Sequence, residues 1–195
     1  MNRSDVTELH FIAPIENVPS ILTHGLLCHN LAKDLPHQRI DDWEVQANRI
    51  NKAVPGTNKK LHDFANLYFD AHNPMLSRRR NENNTICVLR FAATVIDLPD
   101  VIVTDRNAAK DWARFYPTEN GLSMLNAERI FAADWRDPDQ YVYWDKKGAK
   151  CAEVLVPDKV EPHYIFGAYV ANQTAMIAFQ MTSDLNVELK TDMFF

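Results

Sequence analysis

The residue with the most chemistry in this sequence is a glutamate set inside an apolar, strand-like run. Glu153 stands in Cys151-Ala152-Glu153-Val154-Leu155-Val156. Strand alternation puts Ala152, Val154 and Val156 on one face, and Cys151, Glu153 and Leu155 on the other. A carboxylate with apolar neighbours costs desolvation unless it meets a partner or faces a cleft. The pattern by itself fits an exposed strand face equally well. The segment before it adds weight to the cleft. Asp134 to Lys150 reads as a polar loop carrying Trp135, Tyr141, Tyr143 and Trp144. Bases stack on such side chains, and lysines follow a phosphate backbone. A carboxylate beside that surface can stabilise an oxocarbenium-like centre as a glycosidic bond breaks. It can also take a proton from the incoming nucleophile.

Those side chains need elements to hold them. ENVPSILTHGLL predicts a short helix, with Asn17 as N-cap, Pro19 in the first turn and Gly25 closing it. Residues 30–60 are polar, with Pro36, Pro55 and Gly56, and predict a long excursion holding at most one helix, around Asp41 to Ile50. LHDFANLYFD alternates, with Phe64, Asn66 and Tyr68 on one face and Ala65, Leu67 and Phe69 on the other, and predicts a strand. TICVLRF, DVIVT, CAEVLVP, YIFGAYV and LNVELK predict further strands. Helices are expected at Ala108 to Phe115, at Leu122 to Phe131 and over ANQTAMIAFQM. Strands and helices mix without regular alternation, which favours an α+β fold.

Composition sets the outer bounds. The chain has 195 residues, 46% of them hydrophobic, and is expected to form one domain over 1–195. No run approaches the ~18 apolar residues of a membrane span, and MNRSDVTELHF lacks a signal-peptide core, so a cytoplasmic location is expected. Cys28, Cys87 and Cys151 fit reduced thiols better than a disulfide frame or a zinc site. The net charge of −5 argues weakly against nucleic acid, because Arg78-Arg79-Arg80 and the group Lys146, Lys147 and Lys150 cluster positive charge locally. Either cluster also fits a solvated loop. The chain contains no GxGxxG, GxxxxGK[ST], HExxH or nucleophile elbow, which disfavours dinucleotide dehydrogenases, P-loop enzymes and zinc hydrolases.

Five ordered blocks together resemble the DarT family of DNA ADP-ribosyltransferase toxins. They are Leu9-His10-Phe11-Ile12 with its following helix; Gln46-Ala47-Asn48-Arg49 leading to Val54-Pro55; LHDFANLYFDAHNPML; Thr104-Asp105-Arg106 with Ala113-Arg114-Phe115; and Ala152 to Val156. The third is the most distinctive and is similar to the family's LHDYVPFYF-x-PRSPML.

The resemblance implies an ADP-ribosyltransferase-like fold, a split mixed sheet around an NAD cleft with peripheral helices. It implies cleavage of NAD, with no metal, and transfer of ADP-ribose to a base of single-stranded DNA. Glu153 and Arg49 would be the catalytic pair. His10, Phe11, Ile12, Asn17, Arg49 and Tyr68 would hold NAD. Arg49, permanently protonated, suits a diphosphate or a base carbonyl better than proton abstraction. Residues 32–51 would cover the cofactor, and residues 107–153 would carry the substrate loop. Arg78, Arg79, Arg106, Arg114, Trp144, Lys147 and Lys150 are the expected nucleic-acid contacts. The chain departs from the family's thymine-modifying pattern at Phe64 to Phe69 and at His72-Asn73-Pro74, which favours guanine over thymine as acceptor. The implied partner is an antitoxin of macrodomain or related glycohydrolase type, and the protein is expected to be monomeric. The competing readings are transfer to RNA or protein, and a non-catalytic nucleotide-binding module.

Overall fold

The computed structural model describes residues 1–40 and 43–195. Its strands are Glu8–Pro14 (β1), Leu26–Leu27 (β2), Phe64–Tyr68 (β3), Ile86–Ala92 (β4), Ile102–Thr104 (β5), Phe115–Pro117 (β6), Glu153–Pro157 (β7), Lys159–Val160 (β8), Ile165–Val170 (β9) and Val187–Leu189 (β10). The helices are Val18–His24 (α1), His29–Ala32 (α2), Trp43–Arg49 (α3), Pro74–Arg78 (α4), Thr118–Gly121 (α5), Ala127–Ile130 (α6), Gln140–Ala149 (α7) and Gln173–Gln180 (α8). Eight strands form one sheet in the order β10-β9-β4-β1-β3-β7-β5-β6, while β2 and β8 pair separately. Among the described residues only β9 and β10 run parallel, so the sheet is mixed and the fold is α+β as expected.

The sheet is nearly split down its middle. β1 pairs with β4 along its whole length from Glu8 to Pro14, and β3 pairs with β7 from Phe64 to Tyr68. Between β1 and β3, only His10↔Tyr68 is in register. One face is a continuous core, where Leu67, Phe69, Leu89 and Val154 pack with Phe179 of α8 and Val18 of α1. The other face carries two separate apolar clusters. Ile12, Tyr68, Leu76 and Tyr169 belong to one, and Leu61, Phe64, Ile102 and Leu155 to the other. Alternation in β3 therefore sends its two predicted faces to different environments.

Several expectations need correction. Residues 108–113 form turns, not a helix, and Phe115 begins β6. The Ala108 N–H is taken by Glu153 and the Arg114 N–H by Asp105, so these donors are committed to a hairpin loop. The expected helix at Leu122 to Phe131 is broken at Leu125, because Asn126 caps a new turn by accepting from the Arg129 N–H. Asp134 to Lys150 is not all loop. Asp139 accepts from the Tyr141 and Val142 N–H groups and starts the ten-residue α7. The excursion opens with α2 as well as containing α3. Asp41 and Asp42, at the start of the expected helix there, lie outside the described residues. Among the described residues, no helix is long and apolar enough to cross a membrane.

α1 ends as its sequence dictates, on Gly25 at φ +86°. The turn is tight for a second reason. A Cβ on Gly25 would lie 2.4 Å from the Val160 carbonyl oxygen of β8. Gly25→Ala is expected to lower unfolding free energy by about 2–3 kcal/mol, read from urea denaturation midpoints. A loss below about 0.5 kcal/mol, the range of neutral surface changes, would refute that packing.

Candidate active site

The strand registers bring three residues from distant parts of the chain into one row across the sheet. His10 stands opposite Tyr68, and Tyr68 stands opposite Glu153. Opposed residues project from the same face with Cβ atoms about 5 Å apart, so the row lies where β1 and β3 part.

Glu153 is fully buried, and every strong contact it makes is specific. Arg49, at the end of α3, donates from Nη1 to both carboxylate oxygens and from Nη2 to Oε2, all at 3.1 Å. The Ala108 N–H donates to Oε1 at 3.2 Å. The Glu153 N–H donates to Thr104 Oγ1 at 3.1 Å, and the Thr104 hydroxyl in turn donates to the Arg106 carbonyl at 2.7 Å. A carboxylate out of water keeps its charge only with such partners. Tyr68 is almost buried, and its hydroxyl donates to Met75 Sδ at 3.3 Å. Burial and the Glu153 charge push its phenol well above the usual range, so it serves as a neutral ring. Burial, reinforced by Glu153, pushes the Cys151 thiol up to about 12. That disqualifies it as a thiolate nucleophile near neutral pH.

Of this row Tyr68 lines a cavity of about 740 Å³, within the size range of small-molecule sites, while Glu153 lies behind the lining and meets it through Arg49. Phe64, Asn66 and Tyr68 of β3 line its floor, and Phe11 and Ile12 of β1 line the other side of the split. α3 contributes Gln46 and Arg49, and the hairpin and α7 contribute Asn107, Lys110, Trp112, Trp144 and Lys147. His29 and His62 also line it, their rings stacked at 4.0 Å, with His62 Nε2 2.9 Å from Gln46 Oε1.

The expected site residues fall into distinct places. Arg49, Tyr68, Phe11 and Ile12 reach the cavity together. The His10 ring is buried on the same sheet face but is not among the lining groups. Its Nε2 is 3.0 Å from Glu8 and its Nδ1 is 3.3 Å from the Phe69 carbonyl oxygen. Asn17 lines the cavity and pins the chain over it, donating to the Gln38 carbonyl at 2.8 Å and accepting the Gln38 N–H at 2.9 Å. Arg79 lines the cavity beside Arg78, bonding Glu82 at 2.9 Å and the Ile40 carbonyl. Arg106 lies 3.3 Å from both Asp105 and Asp145, tying the hairpin to α7. Arg114 is exposed and not among the lining groups.

Lys150 does not belong with the expected nucleic-acid contacts. Its side chain is fully buried, paired to Asp70 and donating to the Ala132 carbonyl at 2.7 Å, so it holds the base of α7 in place. The sequence reading missed Trp112 and Lys110. The expected helix hid them, yet Trp112 is 65% exposed at the cavity rim and Trp144 58%. Nothing in the sequence around Asp111 and Ala113 marked Trp112 as a rim residue, because the N–H bonds that keep the segment from being helical are seen only in the fold. Among the described residues, no cluster of three His, Cys, Asp or Glu side chains is placed to hold a metal.

Comparison with known proteins identifies the family. A family model described as DarT, ssDNA thymidine ADP-ribosyltransferase, matches residues 10–195. A DNA ADP-ribosyl transferase–DNA ADP-ribosyl glycohydrolase fusion protein of Thermosipho africanus is 32% identical over 173 residues. That match takes in 85% of this chain but only 42% of the fusion's length. The structure of Thermus sp. 2.9 DarT in complex with ADP-ribosylated ssDNA superimposes with a TM-score of 0.79 at 27% identity, covering 98% of this chain and 97% of that one. The same Thermus protein in complex with NAD+ gives a TM-score of 0.73 at 26% identity, covering 97% and 98%. With that family model matched from His10 to Phe195, this chain belongs to the DarT family of DNA ADP-ribosyltransferases.

Proposed function

We propose that this chain cleaves the bond between nicotinamide and ribose in NAD and transfers the ADP-ribose to a base of single-stranded DNA. The observation that carries this reading is the buried Glu153 carboxylate, held by Arg49 beside a cavity of about 740 Å³. The Thermus relative, solved both with NAD+ and with ADP-ribosylated ssDNA, supports the substrates.

NAD supplies the scissile N-glycosidic bond and a leaving group, nicotinamide, which departs neutral with the bond's electron pair. The chain supplies the environment. Glu153 places negative charge where an oxocarbenium-like ribose develops positive charge, out of contact with water. It then accepts the proton that the acceptor nitrogen gives up as the new bond forms. Arg49 cannot remove that proton, but its fork orients the carboxylate and suits the diphosphate. Tyr68 offers a ring face for the nicotinamide.

The rim fits an unpaired strand. Trp112 and Trp144 stand exposed on two elements that Arg106 locks together through Asp145, with Lys110 and Lys147 between cavity and solvent. Bases stack on such rings without regard to sequence, and the lysines answer the phosphates. Guanine is the favoured acceptor. Asn66 lines the floor within the segment that departs from the thymine-modifying pattern, and its amide can pair with a base edge. His72, the other departure, bonds the Met193 carbonyl at 2.7 Å and stacks on Phe195, away from this role. The family description names thymidine, so thymine is the second acceptor to be scored. Free base-modifying activity would be toxic, and the glycohydrolase fused in the Thermosipho relative supports an ADP-ribose-removing antitoxin as partner.

Mass spectrometry of nucleosides after incubating ssDNA, duplex DNA or RNA with protein and NAD tests the reading. ADP-ribosyl-deoxyguanosine from ssDNA is expected. A thymidine adduct would overturn the guanine assignment, and label confined to RNA or protein would overturn DNA as acceptor. Glu153→Gln is expected to lower turnover by about 10²–10⁴-fold, the range for a lost proton acceptor. Turnover within a factor of two of wild type would remove Glu153 from the chemistry. Trp112→Ala and Trp144→Ala should each weaken ssDNA binding by about 1–3 kcal/mol, read by fluorescence anisotropy at fixed salt. Unchanged affinity would move the strand elsewhere.

A further inference from the structure

β1 carries a second acidic side chain that the proposed chemistry does not use. Glu8 lies two residues before His10, on the same sheet face, with its side chain 16% exposed. Four donors converge on its carboxylate. His10 Nε2 and the Tyr169 hydroxyl each lie 3.0 Å from Oε1. Arg90 reaches Oε2 with Nε at 2.9 Å and Nη2 at 2.8 Å. Burial alone would raise the Glu8 carboxyl, yet His10, Arg90 and Tyr169 hold it down at about 2.

The sheet around this carboxylate is shaped to deliver Arg90. Arg90 stands opposite His10 in the β1–β4 register and opposite Gly167 in the β4–β9 register. Directly after that pair the register slips, with Phe91 opposite Ile165, so Phe166 is the extra residue. Such a slip re-aims side chains. Here it brings the Phe166 ring 4.6 Å from the Arg90 guanidinium carbon, with the Tyr169 ring at 4.3 Å. Gly167 leaves the path clear. A Cβ there would sit 3.5 Å from Arg90 Cδ and 3.3 Å from the Asn186 carbonyl oxygen. Glu188 of β10 takes the remaining arm of Arg90 at 2.6 Å. Four strands thus combine to hold one carboxylate against one histidine.

An ionised carboxylate can only accept, so His10 Nε2 must carry the hydrogen of that bond. The other ring nitrogen faces a second acceptor, the Phe69 carbonyl, at the longer distance of 3.3 Å. The orientation of the ring is therefore set from the Glu8 side. We propose that Glu8, gripped by Arg90 and Tyr169, is a positioning residue that fixes the orientation of His10 and, through His10, the binding of NAD. This rests on the reading of His10 as part of the NAD site.

A double-mutant cycle on the full chain tests it, with the KM for NAD and kcat measured at saturating ssDNA for wild type, Glu8→Gln, His10→Ala and the double variant. Glu8→Gln keeps the size and one acceptor but loses the charge. It is expected to raise the KM for NAD by about tenfold with kcat within about threefold, as loss of a charge-assisted positioning bond does. In the His10→Ala background the same change should add nothing, because its route is already cut. Effects that multiply in the double variant, or a Glu8→Gln KM equal to wild type, would overturn the proposal. His10→Ala with a normal KM would instead overturn the placement of His10 in the NAD site. Should Glu8→Gln fail to fold, nitrogen-15 NMR of the wild-type imidazole still decides. A His10 ring with hydrogen on Nε2 is expected, and a bare Nε2 would sink the idea.

Discussion

A buried carboxylate held by one guanidinium is the constraint on which the site depends. Taking Glu153 and Arg49 out of water is costly, and their attraction compensates only with tight geometry and further hydrogen bonds. The structure meets both conditions with three contacts from Arg49 and one from the Ala108 N–H. Each partner arrives from a different direction: Glu153 at the start of β7, Arg49 at the end of α3, and Ala108 from the hairpin after β5. One carboxylate therefore fixes the relative position of three elements, and the hairpin is shaped around it rather than by its own helix propensity.

The sheet explains why there is space beside that pair. A fully zipped sheet would place β1 and β3 side by side along their length and pack the second face as one core. With only His10↔Tyr68 in register, the second face instead carries two apolar clusters. Phe64 and Tyr68, one from each cluster, line the cavity. The continuous core on the opposite face, closed by Phe179 and Val18, lets the sheet survive that loss of pairing. Most apolar burial is kept on the face that has no chemistry to do.

What the sequence revealed was local in origin. The alternation in Phe64 to Phe69 sorted the two faces of β3, Pro19 and Gly25 framed α1, and the apolar run after Cys151 placed Glu153 on a strand. Asn17, expected as the N-cap, spends its side chain on Gln38 instead. What it hid was set by distant partners. Arg49 and Glu153 are separated by 104 positions, and no periodicity links them. Only family resemblance brought Arg49 forward, as a catalytic and cofactor-binding residue, and it did not foretell the ion pair with Glu153. Lys150 looked like one more solvated lysine beside Lys146 and Lys147, because nothing nearby in sequence announces Asp70. Residues 108–115 looked helical because the demands of Glu153 and Asp105 on their N–H groups come from elsewhere in the fold. α7 was obscured by its own surface, since tyrosines, tryptophan and lysines in a rim helix mimic a polar loop.

The placement of Arg49 also ties the wall of the cavity to the buried carboxylate. α3 stands at one wall, and beside it Asn17 and Arg79 fasten the chain at Gln38 and Ile40 across the opening. A guanidinium has one planar fork, and a fork turned towards a diphosphate loosens its hold on a carboxylate. Glu153 would then keep its burial and the Ala108 N–H but lose the three contacts that Arg49 gives it.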